Sequence, residues 1–225
     1  MLAATEGPFR VDAASMDVST LLLCDDNAKA LLVLGHGAGA DMRHASMTAI
    51  ATELARRGVA VLRFNFPFME HGKGPVDSRA VATATVAAAV RHARTVHPGL
   101  PLFLGGHSFG GRMASHAVLD QDVGDVRGLI FCSFPLHPAG KPATTRADHL
   151  AAIELPMLFL SGTRDALADA GLLDGVIAGL GQRAELVRLD TADHGYKVQK
   201  RSRARSDSVF EELADAATSF VSRLC

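Results

Sequence analysis

The sequence predicts an α/β fold: a mostly parallel, doubly wound sheet with helices on both faces. Three observations predict it. Short apolar runs alternate with longer helical stretches along almost the whole chain, the pattern of βαβ units. The runs are apolar at nearly every position rather than every second one, as strands covered on both sides require. No repeat, low-complexity block or linker interrupts the 225 residues, so one domain spanning 1–225 is expected.

The elements follow in order. The stretch Phe9 to Cys24 adds one or two edge strands, and Ala30 to Leu34 is a short strand followed by "GHGAGADMRH" and a helix from Ala45 to Arg57. Val59 to Phe64 is the next strand despite its arginine at 63. A loop bearing glycine and proline leads to a long helix from Asp77 to His97. Leu102 to Gly105 is a strand, Phe109 to Leu119 a helix, and Gly128 to Cys132 a strand. Met157 to Leu160 is a strand, Leu167 to Leu180 a helix, and Ala184 to Leu189 a strand. Ser206 to Leu224 closes as a helix, with Ser206 or Asp207 as its N-cap.

Composition narrows the function classes. A hydrophobic share of 48% with 21% charged residues supplies a sizeable core. The net charge of −1 gives no global field to recruit nucleic acid or an acidic membrane. Cys24, Cys132 and Cys225 are odd in number and far apart, which reads as reduced cysteine rather than a disulfide framework. The N-terminus lacks a basic stretch followed by an apolar one, so no signal peptide is expected. The most membrane-like window, Ala80 to Val90, is alanine-rich and too short to span. A cytoplasmic protein with no membrane or nucleic-acid partner is expected.

The chemistry starts at "GGHSFGGRMAS", positions 105 to 115. Glycine is tolerated where the backbone takes φ > 0 or passes close to something. Gly106-His107-Ser108-Phe109-Gly110 matches G-x-S-x-G between a strand and a helix, the arrangement that exposes a nucleophilic serine on a tight turn. A hydroxyl is a poor nucleophile near neutral pH, so Ser108 needs a base, and the base an orienting acid. In a doubly wound sheet both lie beyond the carboxyl ends of strands. Asp120, Asp122 and Asp125 follow a helix to the opposite edge. Asp165, five residues past Leu160, fits; Asp169 competes, but helix should have begun there, and a cap role for Asp165 is the plain alternative. His194, just past the last strand, suits the base. His107 sits in the elbow and packs there, and His116 is two turns into the helix. Spacing alone leaves His137 and His149 open, but the order Ser108, Asp165, His194 is the one this geometry requires. The N–H of Phe109 and one from "LGHGAGADM" would stabilise an oxyanion, with Ala38 first choice and Gly39 second.

Together, "LVLGHGAGADM", "LRFNFPF", "GGHSFGGRMAS", "FPLHPAGKP", "LSGTRD" and "DHGYKVQKRS" resemble the dienelactone-hydrolase-like family of the α/β-hydrolase superfamily. Bacterial serine hydrolases, a testis-expressed eukaryotic protein and a subunit of a histone-acetylating complex share that family. The resemblance covers nearly the whole chain and implies an α/β-hydrolase fold with little or no lid. It also places the triad on Ser108, Asp165 and His194. Dienelactone hydrolases proper use cysteine where this chain has Ser108, so their substrate does not carry over.

The expected activity is hydrolysis of carboxylic esters through an acyl-enzyme. The alternatives are thioester hydrolysis or acyl transfer on the same residues, or a non-catalytic scaffold that binds a partner. Met42, Phe66, Met69, Phe134 and His137 are expected to line the substrate pocket, with core packing as the alternative for about half of them. Arg112 is either a substrate anchor or a structural ion-pair partner. Gly35-His-Gly37-Ala-Gly39-Ala40 also reads as a dinucleotide fingerprint, but the next strand ends in Arg63-Phe64-Asn65 with no acid. No Gly-Lys-Ser/Thr makes a phosphate loop. The ten histidines show no H-E-x-x-H or Cys/His ligand spacing, so neither cofactor nor metal is expected. The five positive charges from Lys197 to Arg205 read as a solvated face. The expected partner is a small-molecule ester; an edge strand or the last helix would serve a homodimer.

Overall fold

The computed structural model describes all residues except 71 and 73. Eight strands form one sheet: β1 (Leu2–Val11), β2 (Met16–Asp25), β3 (Ala30–Gly35), β4 (Val59–Phe64), β5 (Leu102–His107), β6 (Leu129–Cys132), β7 (Met157–Gly162) and β8 (Ala184–Leu189). Their order is β1-β2-β4-β3-β5-β6-β7-β8. The β1–β2 and β2–β4 pairs are antiparallel and all others parallel. The expected edge strands are therefore a full hairpin that begins at Leu2.

Period-two geometry explains the continuous apolar runs. In β3, Leu31 and Val33 face one core while Ala30, Leu32 and Leu34 face the other. The same alternation sends Leu129 and Phe131 of β6 one way, and Ile130 and Cys132 the other. One face is covered by α3 (Arg79–Val96), α4 (Phe109–Asp120) and α5 (Ala170–Leu180), the other by α1 (Ala45–Ala55) and α6 (Val209–Ser222). The short α2 (Pro67–Glu70), in the loop after β4, was not anticipated; Glu70 fixes it by accepting from Ser19 N and Oγ of β2, at 2.8 and 3.1 Å. Burying a side chain such as Phe103 or Phe131 contributes about 1.5–3 kcal/mol. Exposed ion pairs such as Arg43–Glu6 are screened by water and contribute little, so the two cores hold the fold.

Two helix starts differ from the sequence expectation. Helix α6 begins at Val209, where Ser208 and Glu211 form a reciprocal capping box, rather than after Ser206 or Asp207. Asp207 is instead held by Arg205. Helix α5 begins at Ala170, and its cap is Asp169, which accepts from Leu172 N at 3.0 Å. Among the described residues, no helix is long and apolar enough to cross a membrane.

The chain reverses direction across the sheet between β3 and β5: β4 lies on one side of β3, and β5 starts the run outward on the other. Loops leaving the carboxyl ends of these two strands part there, which opens a crevice.

Candidate active site

Ser108 stands at that crevice, between the end of β5 and the first turn of α4. Its backbone has φ 52° and ψ −112°, a region costly for a residue with a side chain, while no glycine of the segment has positive φ. The glycines serve close approach instead. A Cβ on Gly106 would meet the backbone of Gly110 at 2.5 Å, Gly111 at 2.6 Å and Gly35 at 2.6 Å. A Cβ on Gly110 would overlap the Gly35 carbonyl. The start of α4 therefore rests on the bare backbones of β3 and β5. Ser108 N–H donates to Cys132 O at 2.9 Å, which ties the turn to β6.

Asp165 and His194 come from the loops after β7 and β8, which are laced together. Thr163 N–H donates to Leu189 O, Arg164 N–H to Ala192 O, and Thr191 N–H to Thr163 Oγ1. Asp165 has a fully buried carboxylate. Its Oδ1 and Oδ2 lie 2.9 and 2.8 Å from His194 Nδ1, and Oδ1 also accepts from Leu167 N–H at 2.8 Å. A carboxylate only accepts, so His194 carries its proton on Nδ1 and turns a lone pair on Nε2 outward. That Nε2 lies 2.9 Å from Ser108 Oγ. The three residues named from sequence are brought into one chain of hydrogen bonds.

The competing histidines go elsewhere. His107 Nε2–H donates to the His194 carbonyl at 2.9 Å and so braces the loop that carries the imidazole. Burial lowers the His107 pKa to about 4, so it remains neutral in this role. His149 bonds Ser115 Oγ at 2.7 Å and stacks on His116 at 3.7 Å. His137 donates to Pro138 O and accepts from Asp169 N–H, stapling the loop after β6 to the cap of α5.

Ala38 and Gly39 are exposed in the loop after β3, and Gly37 packs under them against His107 and Ser108. Phe109 opens α4, so its N–H lies in the helix's unpaired first turn. The loop bearing Ala38 is held by His36, Asn65 and Arg63, which the sequence reading did not single out as functional. His36, fully buried, donates from Nδ1 to Gly37 O at 2.9 Å and accepts Phe66 N–H on Nε2 at 3.0 Å. Met42 N–H donates to Asn65 Oδ1, and Arg63 Nη1 donates to Met42 O and Thr48 Oγ1. The signal was present: an arginine inside an apolar strand needs acceptors, and the loop and the first turn of α1 supply them.

The expected pocket walls require correction. Phe66 and Phe134 are 0% and 2% exposed inside the core, where aromatic contacts occupy them. Met42 is buried under the loop it anchors, Met69 packs partly buried against the core, and His137 is used at both nitrogens. A cavity of about 340 Å³ that does reach His194 is lined by Arg164, Ala166, Asp193, His194, Gly195 and Lys197.

Buried neutral imidazoles carry a pH dependence. Burial depresses the His36 pKa to about 4, against about 6.5 when exposed. Above pH 6.5 both folded and unfolded forms are neutral and the contribution is intact. Between pH 6.5 and 4 only the unfolded chain takes the proton, so stability falls by about 3 kcal/mol for this residue. Urea unfolding at pH 7.5 and 4.5 should show that loss. It should shrink by most of this amount in His36→Gln, whose amide oxygen can still accept from Phe66. An unchanged pH difference in the variant would contradict the assignment.

A family model for the alpha/beta hydrolase domain matches residues 28–222, and the chain belongs to that family. Solved structures of similar fold include a dienelactone hydrolase from Anabaena variabilis, 15% identical, with TM-score 0.76 over 99% of this chain and 98% of that one. Est1E from Butyrivibrio proteoclasticus with ferulic acid bound is 17% identical, with TM-score 0.78 over 97% and 98%. XC6422 from Xanthomonas campestris, an α/β serine hydrolase without a lid, is 21% identical, with TM-score 0.71 over 99% and 94%.

Proposed function

We propose that this protein is a serine hydrolase that cleaves carboxylic esters through Ser108, His194 and Asp165. One observation carries the reading: an unbroken hydrogen-bond relay joins a strained, elbow-mounted serine to a buried carboxylate through a correctly oriented imidazole.

In the first step Ser108 Oγ attacks the ester carbonyl carbon while its proton passes to His194 Nε2. The imidazolium so formed is held by the Asp165 carboxylate on its other nitrogen. Negative charge gathers on the carbonyl oxygen, where the N–H groups of Phe109 and Ala38 receive it. The start of α4 adds its positive end. His194 returns the proton to the departing alkoxide, the ester C–O bond breaks, and an acyl-serine remains. Water, deprotonated by the same imidazole, attacks that acyl group, releasing the acid and restoring Ser108.

Intact-mass analysis after a fluorophosphonate probe tests this. The wild type should gain one adduct, Ser108→Ala none, and His194→Ala one only slowly. Short p-nitrophenyl esters should be hydrolysed by the wild type alone at an appreciable rate. A well-folded wild type that takes no adduct would overturn the reading in favour of a hydrolase-fold scaffold that binds a partner.

A further inference from the structure

His194 must hold Nε2 against Ser108 Oγ, yet its own backbone is tied at a single point. Among the described residues the His194 N–H has no hydrogen-bond partner, and its carbonyl accepts only from His107 Nε2–H. The turn around it is closed separately. Asp193 N–H donates to Lys197 O at 3.0 Å, and Asp193 Oδ1 accepts from the N–H groups of Gly195 and Lys197, both at 2.9 Å. Tyr196, buried, donates its hydroxyl to Leu160 O at 3.2 Å and fixes the far end. These bonds make the turn rigid within itself. The His107 bond sets where its His194 end stands.

His107 in turn takes its position from the loop that bears Ala38. Strands β3 and β5 are neighbours, with Gly35 opposite Gly106. The two chains therefore leave the sheet side by side, one toward Gly37 and the other through His107 to Ser108. A carbonyl only accepts, so His107 carries its proton on Nε2 and leaves Nδ1 bare. That bare nitrogen lies against Gly37. A Cβ there would come within 2.9 Å of His107 Nδ1, 3.6 Å of its Cε1 and 3.6 Å of Ser108 Cβ. Gly37 has no positive φ, so an alanine would meet the ring and not a strained backbone. Elsewhere the His107 ring meets the His194 ring at 5.3 Å and the Tyr196 ring at 5.8 Å, centroid to centroid. A ring displaced from the Gly37 side is pressed toward the His194 turn.

We propose that His107 is a positioning residue that ties His194 to the loop after β3, so that one imidazole sets the base against both Ser108 and the oxyanion donors. The proposal rests on the ester-hydrolase reading above. His107 touches no reacting atom and acts through the His194 carbonyl. Its contribution is geometric, because a misplacement of about 1 Å in a reacting group costs about 10²-fold in rate. An interaction of this kind lowers kcat when it is removed and leaves KM alone.

Three variants test it: His107→Leu, which removes the donor; His107→Gln, whose amide Nε2 replaces the ring Nε2–H; and Gly37→Ala. Fluorophosphonate titration counts the active sites, and kcat and KM for p-nitrophenyl acetate are measured per labelled site. His107→Leu should lose about ten- to a hundredfold in kcat with KM near wild type, and His107→Gln should recover most of that loss. Gly37→Ala should lose about tenfold by itself but far less beside His107→Gln, whose unbranched chain yields to the new methyl group. The His194 Nδ1 proton, held against Asp165, should give a far-downfield proton NMR line that His194→Ala lacks. That line should broaden or vanish in His107→Leu and Gly37→Ala and persist in His107→Gln. A merely structural role would lower the melting temperature and the number of labelled sites while leaving kcat per site and the NMR line unchanged, which overturns the proposal. Additive losses from Gly37→Ala and His107→Gln overturn the link to the loop after β3. Should His107→Leu fail to fold, the other two variants decide. A wild type that shows the NMR pattern but takes no adduct and cleaves no ester sinks the hydrolase reading and leaves the positioning of His194 standing.

Discussion

Replacing Asp165 by asparagine is expected to slow acylation of Ser108 by about 10⁴-fold while leaving the protein folded. The reason lies in which atoms can donate. In the native chain Asp165 Oδ1 accepts from Leu167 N–H, and both carboxylate oxygens face His194 Nδ1. An asparagine that keeps the Leu167 bond must turn its NH₂ group toward His194. The imidazole then accepts on Nδ1 and carries its proton on Nε2, aimed at the Ser108 hydroxyl it should deprotonate. The flipped amide fares no better, because its NH₂ would oppose the N–H of Leu167. Fluorophosphonate labelling rates and ester kcat/KM measure the effect. Circular dichroism and thermal melting should remain near wild type, since the amide has the shape of the carboxylate. A rate within tenfold of wild type would mean that Asp165 caps its loop and nothing more.

The candidate site was legible because its constraints are local or topological. The elbow is written in five consecutive residues. Asp165 and His194 were reached by asking which loops leave the carboxyl ends of later strands, a question that the alternation of apolar runs answers. Asp169 shows where such reasoning loses resolution. Leu167 and Ala168 suit a helix, but in the structure they belong to the turn that Asp165 caps, and the helix waits for Asp169. Propensity cannot separate two successive aspartates that each bond a backbone N–H two or three residues on.

The pocket was illegible for another reason. Phe66, Phe134 and Met42 leave the correct edge of the sheet, and an apolar side chain reads the same whether it faces a cavity or a neighbour. His36 illustrates the converse. Within the Gly35–Ala40 pattern no residue spacing marks this histidine, yet it holds that loop with both ring nitrogens. The glycines at 106 and 110 were recognised as special, and the structure decides between the two reasons open from sequence. Close backbone approach is what they supply, while Ser108 itself takes the positive φ.

That distinction yields opposite signs for two glycine-to-alanine changes in helices. By propensity alone, alanine should stabilise either helix by about 0.5–1 kcal/mol. Gly175 in α5 has nothing within 4 Å of where its Cβ would sit, so Gly175→Ala should gain about that amount. Gly110 in α4 would set its Cβ into the Gly35 carbonyl and within 2.8 Å of His36 O. Both are backbone atoms of β3 and of the loop that carries Ala38, so no flexible side chain can yield. The first turn of α4 would have to lift from the sheet, against overpacking costs of about 1–3 kcal/mol or more. Gly106 and Gly35 close the same contact from the other side, so no relaxed position is available nearby. Urea unfolding should therefore show Gly110→Ala destabilised by at least about 3 kcal/mol, or not folding at all, beside a stabilised Gly175→Ala. Any folded fraction of Gly110→Ala should also label poorly with a fluorophosphonate, because Ser108 and the Phe109 N–H move with that turn. Equal gains in both variants would mean that α4 does not rest on β3 as described, and Ser108 would then lose the platform that fixes it against His194.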